Sequence, residues 1–353
     1  MNQTLNGIRR ILITILVAMG VGALFIVAIG ENPIDAYAAL FRGAFDGELR
    51  LGTTLAGFTP LLLTSIAFAV AAKAGAFNVG VEGEVFLGGI TAAYIGINWT
   101  FLPKPALYVA CFVGAMVVAA AWAFIPAVLR AYYNVNEVCT TILMNTVALY
   151  ITSYLVSGPM SAGTANAQSL PVTVRLYQFM KPSSVNVGIF IAAIFIAAIT
   201  VIVIIFMLQK SSWGYKIRTV GLNPTHADYV GIDSKKVFVG AMMLSGMLGG
   251  MAGCIEVLGV HGYFLNNFAT GLGSNGMLAA LIVKNNMVST PFMAFFLAVL
   301  KSGAMGMQQS TGVPKSLVDT ITAVFIIIAT METAFQFTKK RKKKTEEKKE
   351  DKA

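Results

Sequence analysis

Charged residues are scarce in this chain of 353 residues. Asp, Glu, Lys and Arg make up 12% of it, hydrophobic residues make up 56%, and the mean hydropathy is +0.73. Its apolar runs repeatedly reach the roughly 20 residues that a helix needs to cross a bilayer. Because these runs lack the apolar and polar alternation of barrel strands, the pattern predicts an all-α polytopic membrane protein.

Histidine and the common catalytic motifs are also scarce or absent. The two histidines, His226 and His261, are isolated, so the sequence has no metal-ligand spacing. It has no G-x-x-x-x-G-K-[ST] phosphate loop and no G-x-S-x-G nucleophile motif. We therefore expect no catalytic residue, metal or cofactor in this chain. A membrane-embedded enzyme is the weakest of the functions considered.

Cysteine is rare as well. The three cysteines, Cys111, Cys139 and Cys254, all fall inside apolar runs. This placement argues against a disulfide framework and predicts three small buried residues.

Nine apolar runs are predicted to span the membrane. They lie near residues 9–29, 53–72, 84–99, 105–129, 138–156, 187–207, 237–258, 277–300 and 316–335. Residues 277–312 are long enough for a short half-helix followed by a full span, so the predicted number is nine or ten.

Lysine and arginine predict the orientation. They precede the first span, follow the fourth and fill the segment between the sixth and seventh, which places these segments and the N-terminus in the cytoplasm. The basic tail, residues 339–353, is also cytoplasmic if the number of crossings is even, so about ten helices are predicted. We divide the chain into a transmembrane domain, residues 1–338, and this tail.

The tail carries half of the net charge of +10, with nine basic and four acidic residues. It has too few apolar residues to fold, so a disordered tail is predicted. A basic run just beyond a span contacts anionic lipid, which makes a nucleic-acid partner unnecessary.

Residues 74–89, AGAFNVGVEGEVFLGG, interrupt the apolar pattern with five glycines, an asparagine and two glutamates. Gly75, Gly80 and Gly83 each disfavour a helix by about 1 kcal/mol relative to alanine, so a broken helix is predicted here. Broken helices at membrane depth either lie buried in protein or line a wet cavity.

The polar residues of this first break are candidates for a translocation path. Asn78 and Glu82 offer polar groups to a cavity, and Phe77 either contacts a ring of the solute or packs in the protein. The alternative is that Glu82 and Glu84 are solvated at the membrane interface or paired with Lys73.

A second break is predicted at residues 261–286, HGYFLNNFATGLGSNGMLAALIVKNN. By the predicted orientation, the first break follows an inward-going span and the second an outward-going one. Inverted repeats have this arrangement, and their discontinuous segments meet near a central site. We therefore predict broken or re-entrant segments and an inverted repeat.

Helix capping signals occur at two further places. Asn223, Pro224 and Gly231 bracket a short helix over residues 224–230, which either docks a soluble partner or belongs to an ordinary interfacial loop. In NVNEVCTTILMN, residues 134–145, Asn136 can cap the incoming span. Asn145 lies deeper and needs an interhelical partner or a ligand.

These stretches together resemble the permease subunits of ABC importers of the ribose and branched-chain amino-acid type. The order AGAFNVGVEGE, NEVCTTILMN, SSWGYKIRTVGLNPTHADYVGID and LSGMLGGMAGCIEVLG carries the resemblance over nearly all of residues 50–330, and it is most similar to the permeases proposed for nucleosides. Two features depart from the family pattern: His226 replaces a small residue, and GLGSNGMLAALIVKNNMVSTP replaces a more regular glycine, aspartate and proline pattern.

The resemblance implies a bacterial inner-membrane importer subunit with both termini in the cytoplasm. Its expected partners are an ABC ATPase that binds the ATP, a second permease chain that is expected to be distinct, and an extracytoplasmic solute-binding lipoprotein. The solute would be a nucleoside, with a sugar or an amino acid left open.

The family motifs also assign residues to roles. The ATPase contact matches Trp213, Gly214, Arg218, Gly221, Asn223, Pro224, Ala227 and Gly231. The translocation path matches Phe77, Asn78, Gly80, Glu82 and Gly83, to which we add Asn145 on its depth in the membrane. The alternative function is a secondary transporter driven by a proton or sodium gradient, with Glu82, Glu256 or Asp319 as the coupling carboxylate.

Overall fold

The computed structural model describes residues 19–176, 187–314, 316–320 and 323–324. Its helices are α1 (Met19–Ile29), α2 (Pro33–Phe45), α3 (Gly47–Lys73), α4 (Val81–Asn98), α5 (Lys104–Tyr133), α6 (Glu137–Ser157), α7 (Val187–Lys210), α8 (Ser212–Leu222), α9 (Pro224–Tyr229), α10 (Ser234–Ile255) with a π-helix (Glu256–His261), α11 (Leu272–Ile282) and α12 (Thr290–Thr311). The chain divides into two compact units, Gly47–Ala298 and the flanking segments Met1–Asp46 with Val299–Ala353.

Six helices in the described residues are long and apolar enough to cross a membrane. They are α3, α5, α6, residues Ala193–Lys210 of α7, α10 with its π-helix, and α12; α1 and α2 add a seventh span if this pair, bent by 114°, is counted as one. The all-α fold is confirmed, whereas the expected ten helices are not.

Three predicted spans need comment. The single span at 277–300 is wrong, because α11 ends at Ile282 and α12 begins at Thr290; the alternative of a short half-helix followed by a full span agrees with these two helices. The span at 84–99 corresponds to α4, whose 18 residues include Glu82, Glu84 and Asn98 and which is not among the six helices named above. The span at 316–335 and the tail at 339–353 lie largely or wholly outside the described residues.

The predicted helix caps are confirmed. The side chain of Asn136 accepts a hydrogen bond from Val138 N at 2.9 Å and begins α6. The side chain of Asn223 accepts one from His226 N at 3.0 Å and begins α9, which ends one residue earlier than predicted. Each side chain pairs an amide that the helix itself leaves unpaired.

The core of the larger unit is α10, which lies between α4 and α5. Its glycines face both neighbours: a Cβ on Gly246 would lie 2.7 Å from Ala119 O of α5, and a Cβ on Gly249 would lie 2.8 Å from the Glu84 side chain of α4. Small residues at these positions let the helix backbones approach closely, which is how helices associate in a bilayer.

The smaller unit holds a similar close approach. Gly43 of α2 faces Gly306 of α12, where an added Cβ would lie 2.7 Å from the Gly306 Cα atom. Leu40 packs beside this contact, next to Gly303. Glycine therefore permits the packing of α2 on α12 in the same way.

The burial of the cysteines is predicted correctly at two of three positions. Cys111 and Cys254 are buried, but Cys139 is exposed. Cys139 lies on α6, whose most apolar 18 residues are only 17% buried within the chain. An apolar residue of a membrane helix can face lipid as readily as protein, so hydropathy alone does not place it.

Candidate functional site

The first break separates α3 from α4 between Lys73 and Val81, as predicted. Gly75 has a φ of +81°, a conformation that a residue with a side chain adopts only under strain. The Asn78 side-chain oxygen accepts a hydrogen bond from Gly80 N at 2.9 Å. This turn redirects the chain without leaving the Gly80 amide unpaired.

Behind this turn lies a buried polar group of three side chains, Asn78, Glu84 and Ser245. Asn78 and Glu84 are each 1% exposed. Asn78 Nδ2 donates to Glu84 Oε1 at 2.9 Å and to Ser245 Oγ at 2.9 Å, so one amide joins α4 to α10. The alternative of a solvated Glu84 is therefore wrong in this conformation.

Asn145 of α6 bonds to the same break. Its Oδ1 accepts from Gly83 N at 2.8 Å and its Nδ2 donates to Val79 O at 2.9 Å. The prediction that Asn145 finds an interhelical partner is confirmed. The side-chain amide replaces two backbone hydrogen bonds that the broken helix lacks.

The two breaks meet at Glu82. Its Oε1 accepts from Gly271 N at 3.0 Å and its Oε2 accepts from Ser274 Oγ at 3.3 Å. Gly271 has a φ of +79° and precedes α11, so a carboxylate in the first turn of α4 lies at the N-terminus of α11, where the helix dipole favours negative charge. Gly273 packs directly against Glu82.

The remaining candidates for the path lie in the same region. Phe77 is half-buried and packs edge-on against Phe68, with 5.0 Å between ring centroids and an interplanar angle of 88°. Gly80 and Gly83 are buried beside Thr141 and Asn145 of α6. The six predicted residues thus share one region of the fold, and their role in a translocation path stays a prediction.

A helical hairpin, α8 and α9, adjoins the first break. Asn223 is the single residue between the two helices. At Gly221 an added Cβ would overlap the backbone of Lys73 and Ala74, so α8 lies directly against the end of α3. Gly214 packs as closely on Leu208, whose carbonyl oxygen accepts a hydrogen bond from Arg218.

The predicted contact residues on this hairpin divide into two groups. Gly214 and Ala227 are buried and Trp213 and Arg218 are half-buried, and the role of these four in an ATPase contact stays a prediction. Gly221, Asn223, Pro224 and Gly231 are exposed.

Among the exposed apolar residues of the hairpin, sequence reasoning missed three that lie beside helix caps. They are Leu222, Tyr229 and Val230, with exposures of 88%, 85% and 54%. Their position beside the helix caps was the only signal that could have identified them.

Replacing Asn145 by leucine is expected to destabilise the protein by about 2 kcal/mol, because it leaves Gly83 N and Val79 O without their partner. The measurement is the midpoint of thermal unfolding of the purified chain in detergent. Asn98→Leu is the control, since the Asn98 amide is exposed and bonds only to Tyr94 O of its own helix. Equal shifts for both variants would contradict a bracing role for Asn145.

The fold and this region define a class of protein: a multi-pass helical membrane protein with two helix breaks in contact and a capped helical hairpin beside them. Sequence comparison identifies the family. The family described as branched-chain amino acid transport system permease component matches residues 50–330. The chain belongs to this family and is an ABC transporter permease of the branched-chain amino acid, sugar and nucleoside type, a transport subunit rather than an enzyme.

Individual relatives extend over nearly the whole chain. A guanosine ABC transporter permease of Bacillus subtilis is 32% identical over 342 residues, covering 94% of this chain and 96% of that protein. A nucleoside ABC transporter permease of Lactococcus lactis is 31% identical and covers 92% and 91%. A glucose ABC transporter permease of Haloferax volcanii is 32% identical and covers 89% and 85%. No solved structure matches the chain.

Proposed function

We propose that this chain is the membrane-spanning subunit of an ATP-driven importer and that its solute is a nucleoside. ATP hydrolysis takes place in a separate ABC ATPase, and the solute is delivered by an extracytoplasmic binding lipoprotein. A second, distinct permease chain completes the path. The chain lies in the bacterial cell membrane with both termini in the cytoplasm.

The observation that carries this proposal is the hairpin of α8 and α9. Leu222 precedes the Asn223 cap that begins α9, and Tyr229 and Val230 end this helix; all three expose large apolar surfaces. Exposed apolar groups of this kind form the centre of protein interfaces, where tyrosine contributes strongly. The described residues leave these three side chains exposed, and an ATPase bound to the hairpin would bury them.

The hairpin also offers a route for the motion. Gly221 lies against Lys73 and Ala74, the last residue of α3 and the first of the break. A displacement of α8 by the ATPase would therefore act directly on the first break, which Glu82 joins to α11. The contact of Gly221 with the end of α3 and the hydrogen bond from Gly271 N to Glu82 thus connect the docking surface to the region of the predicted path.

The nucleoside assignment is supported by the relatives. Two of the three relatives described above are named for guanosine or nucleosides, and both cover more than 90% of this chain. The third is named for glucose, so the test must include a sugar.

The deciding experiment is purification of the tagged chain from its native membrane, with partners identified by mass spectrometry. We expect an ATPase, a second permease and a lipoprotein, and uptake of labelled guanosine into vesicles that depends on ATP. Glucose serves as the competing solute. Uptake that continues without ATP and stops with an uncoupler would contradict the proposal and support a gradient-driven transporter.

Tyr229→Glu is expected to reduce recovery of the ATPase about tenfold or more, because it places a charge in the centre of the proposed interface. Recovery is measured by quantitative mass spectrometry of the purified complex. The control is Phe101→Glu, which places the same charge on a side chain that is 77% exposed and lies outside the hairpin. The ATPase interface is wrong if Tyr229→Glu retains the ATPase as well as Phe101→Glu does.

Cross-linking tests the same interface by distance. A cysteine at Tyr229 is expected to cross-link to the ATPase, because this position is 85% exposed. A cysteine at Ala227 is expected not to react, because this position on the same helix is 0% exposed.

A further inference from the structure

The end of α10 has an unusual local structure. After Ile255 the helix widens into a π-helix over Glu256–His261, and Gly262, with a φ of +75°, ends it. The chain then returns through residues 263–270 to Gly271, which bonds to Glu82. π-helical turns are rare and are often found at functional sites, and this one ends on His261, beside the returning segment.

Aromatic rings surround Phe268 on the returning segment. Phe264 and Phe86 are 0% and 2% exposed and pack edge-on against it, with ring centroids 5.2 Å and 5.6 Å away. Phe268 itself is only half-buried. Its ring is therefore held in place by two buried rings while part of its surface stays accessible.

Two further rings, those of His261 and Tyr263, continue this surface. The His261 ring centroid lies 5.9 Å from that of Phe268 and 6.2 Å from that of Tyr263. His261 and Tyr263 are both half-buried. The accessible parts of three neighbouring rings thus lie beside one another.

The edge of this surface carries polar atoms. His261 Nε2 lies 3.6 Å from Glu256 Oε2, which favours a proton on Nε2 and leaves Nδ1 as an acceptor. Within the described part of the chain, neither His261 Nδ1 nor the Tyr263 hydroxyl has a hydrogen-bond partner. One acceptor therefore lies on the His261 ring beside Phe268, and one group that both donates and accepts lies on the Tyr263 ring, on the other side of His261.

We propose that His261, Tyr263 and Phe268 form a binding surface for the planar heterocyclic base of the transported solute. The proposal rests on the nucleoside function proposed above and names the residues that recognise the base. Aromatic side chains stack on any base, and the hydrogen-bonding groups at the edge select among bases.

The position of the surface suits this role. Ser234 begins α10, and His261 ends the π-helix that continues it. The predicted orientation places the His261 end on the side where the binding protein delivers the solute. The returning segment leads from Phe268 to Gly271 and Glu82, where the two breaks meet. A base bound to Phe268 would thus lie between the delivery side and the predicted path.

The test uses the complete purified transporter in proteoliposomes, loaded by its binding protein. Phe268→Leu is expected to raise the KM for guanosine uptake about tenfold, and Phe268→Tyr is expected to restore it. His261→Leu is expected to reduce the preference for guanosine over uridine. Phe101→Leu, a change at an exposed ring outside the surface, is the control.

Photolabelling with 8-azidoguanosine gives an independent readout. We expect the label on the peptide that contains residues 261–268, and less of it in Phe268→Leu. Unchanged KM values, together with a label elsewhere, would overturn the binding surface and leave the proposed function intact. Uptake of glucose but of no nucleoside by the unsubstituted transporter would overturn both the binding surface and the proposed function.

Discussion

Gly253→Ala is expected to destabilise the protein by about 2–3 kcal/mol. Among glycine-to-alanine substitutions in α10, this one is expected to cause the largest loss of stability. The Cβ of alanine would overlap Val85 O and would lie 2.7 Å from Gly89 N, both in the backbone of α4. A backbone cannot rotate away as a side chain can, so α10 would have to move. Overpacking of this kind usually costs about 1–3 kcal/mol.

The measurement is the midpoint of thermal unfolding of the purified chain in detergent. Gly57→Ala is the matched control, because Gly57 is an exposed glycine of α3 with no atom within 4 Å of an added Cβ. Alanine at that position removes the helix penalty of glycine and should stabilise the protein by up to about 1 kcal/mol. If Gly253→Ala were as stable as Gly57→Ala, the close packing of α10 on α4 would be wrong.

Local chemistry in the sequence was sufficient to predict the ends and breaks of helices. Asn136 and Asn223 cap helices as expected. The helix is also interrupted around Asn78, where the glycines predicted a break. These features depend on residues within a few positions of one another. A backbone conformation that only a few residue types favour can be predicted without knowledge of the fold.

The number and limits of the spans were harder to predict, because hydropathy averages over a window. Residues 277–300 have the apolar composition of a span, yet Lys284 and Asn285 both adopt a φ of +55° and separate α11 from α12. The helix α2 was missed entirely, since Pro33 and the polar residues near it resemble a loop. Composition does not reveal a sharp bend between two short helices.

The individual partners in contacts between distant residues could not be predicted. Glu82 bonds to Gly271, 189 positions away, and Asn78 bonds to Ser245, 167 positions away. The sequence predicted that the two breaks would approach each other, but it assigned Glu82 to a cavity rather than to the N-terminus of α11. Which polar residue pairs with which depends on the packing of α10 and α11 against α4.

The role of Glu82 gives the second large effect. Glu82→Ala is expected to reduce solute uptake about tenfold or more, because the carboxylate joins the first turn of α4, directly after the first break, to Gly271 and Ser274 of the second. Hydrogen bonds to a charged group contribute about 1.5–3 kcal/mol, and the helix dipole adds to this. Without them the Gly271 amide, which directly precedes α11, loses its hydrogen-bond partner, and α11 loses these two bonds to α4.

Hydrogen–deuterium exchange separates this structural role from a direct role in binding the solute. The first turn of α11, which begins at Leu272, is expected to exchange faster in Glu82→Ala than in the unsubstituted chain. Glu82→Gln keeps an oxygen that can accept from Gly271 N and is expected to retain most of the protection. Ser274→Ala removes only the 3.3 Å contact and should have a small effect.

The two readouts have distinct combinations of outcomes. Lost uptake with lost protection in Glu82→Ala, and near-normal behaviour of Glu82→Gln, would mean that the carboxylate holds α11 against α4. Lost uptake in both variants with unchanged protection would contradict that role. It would instead indicate that Glu82 contacts the solute or couples transport to an ion. Because Gly271 N and the dipole of α11 already use the carboxylate in this conformation, we expect the first result.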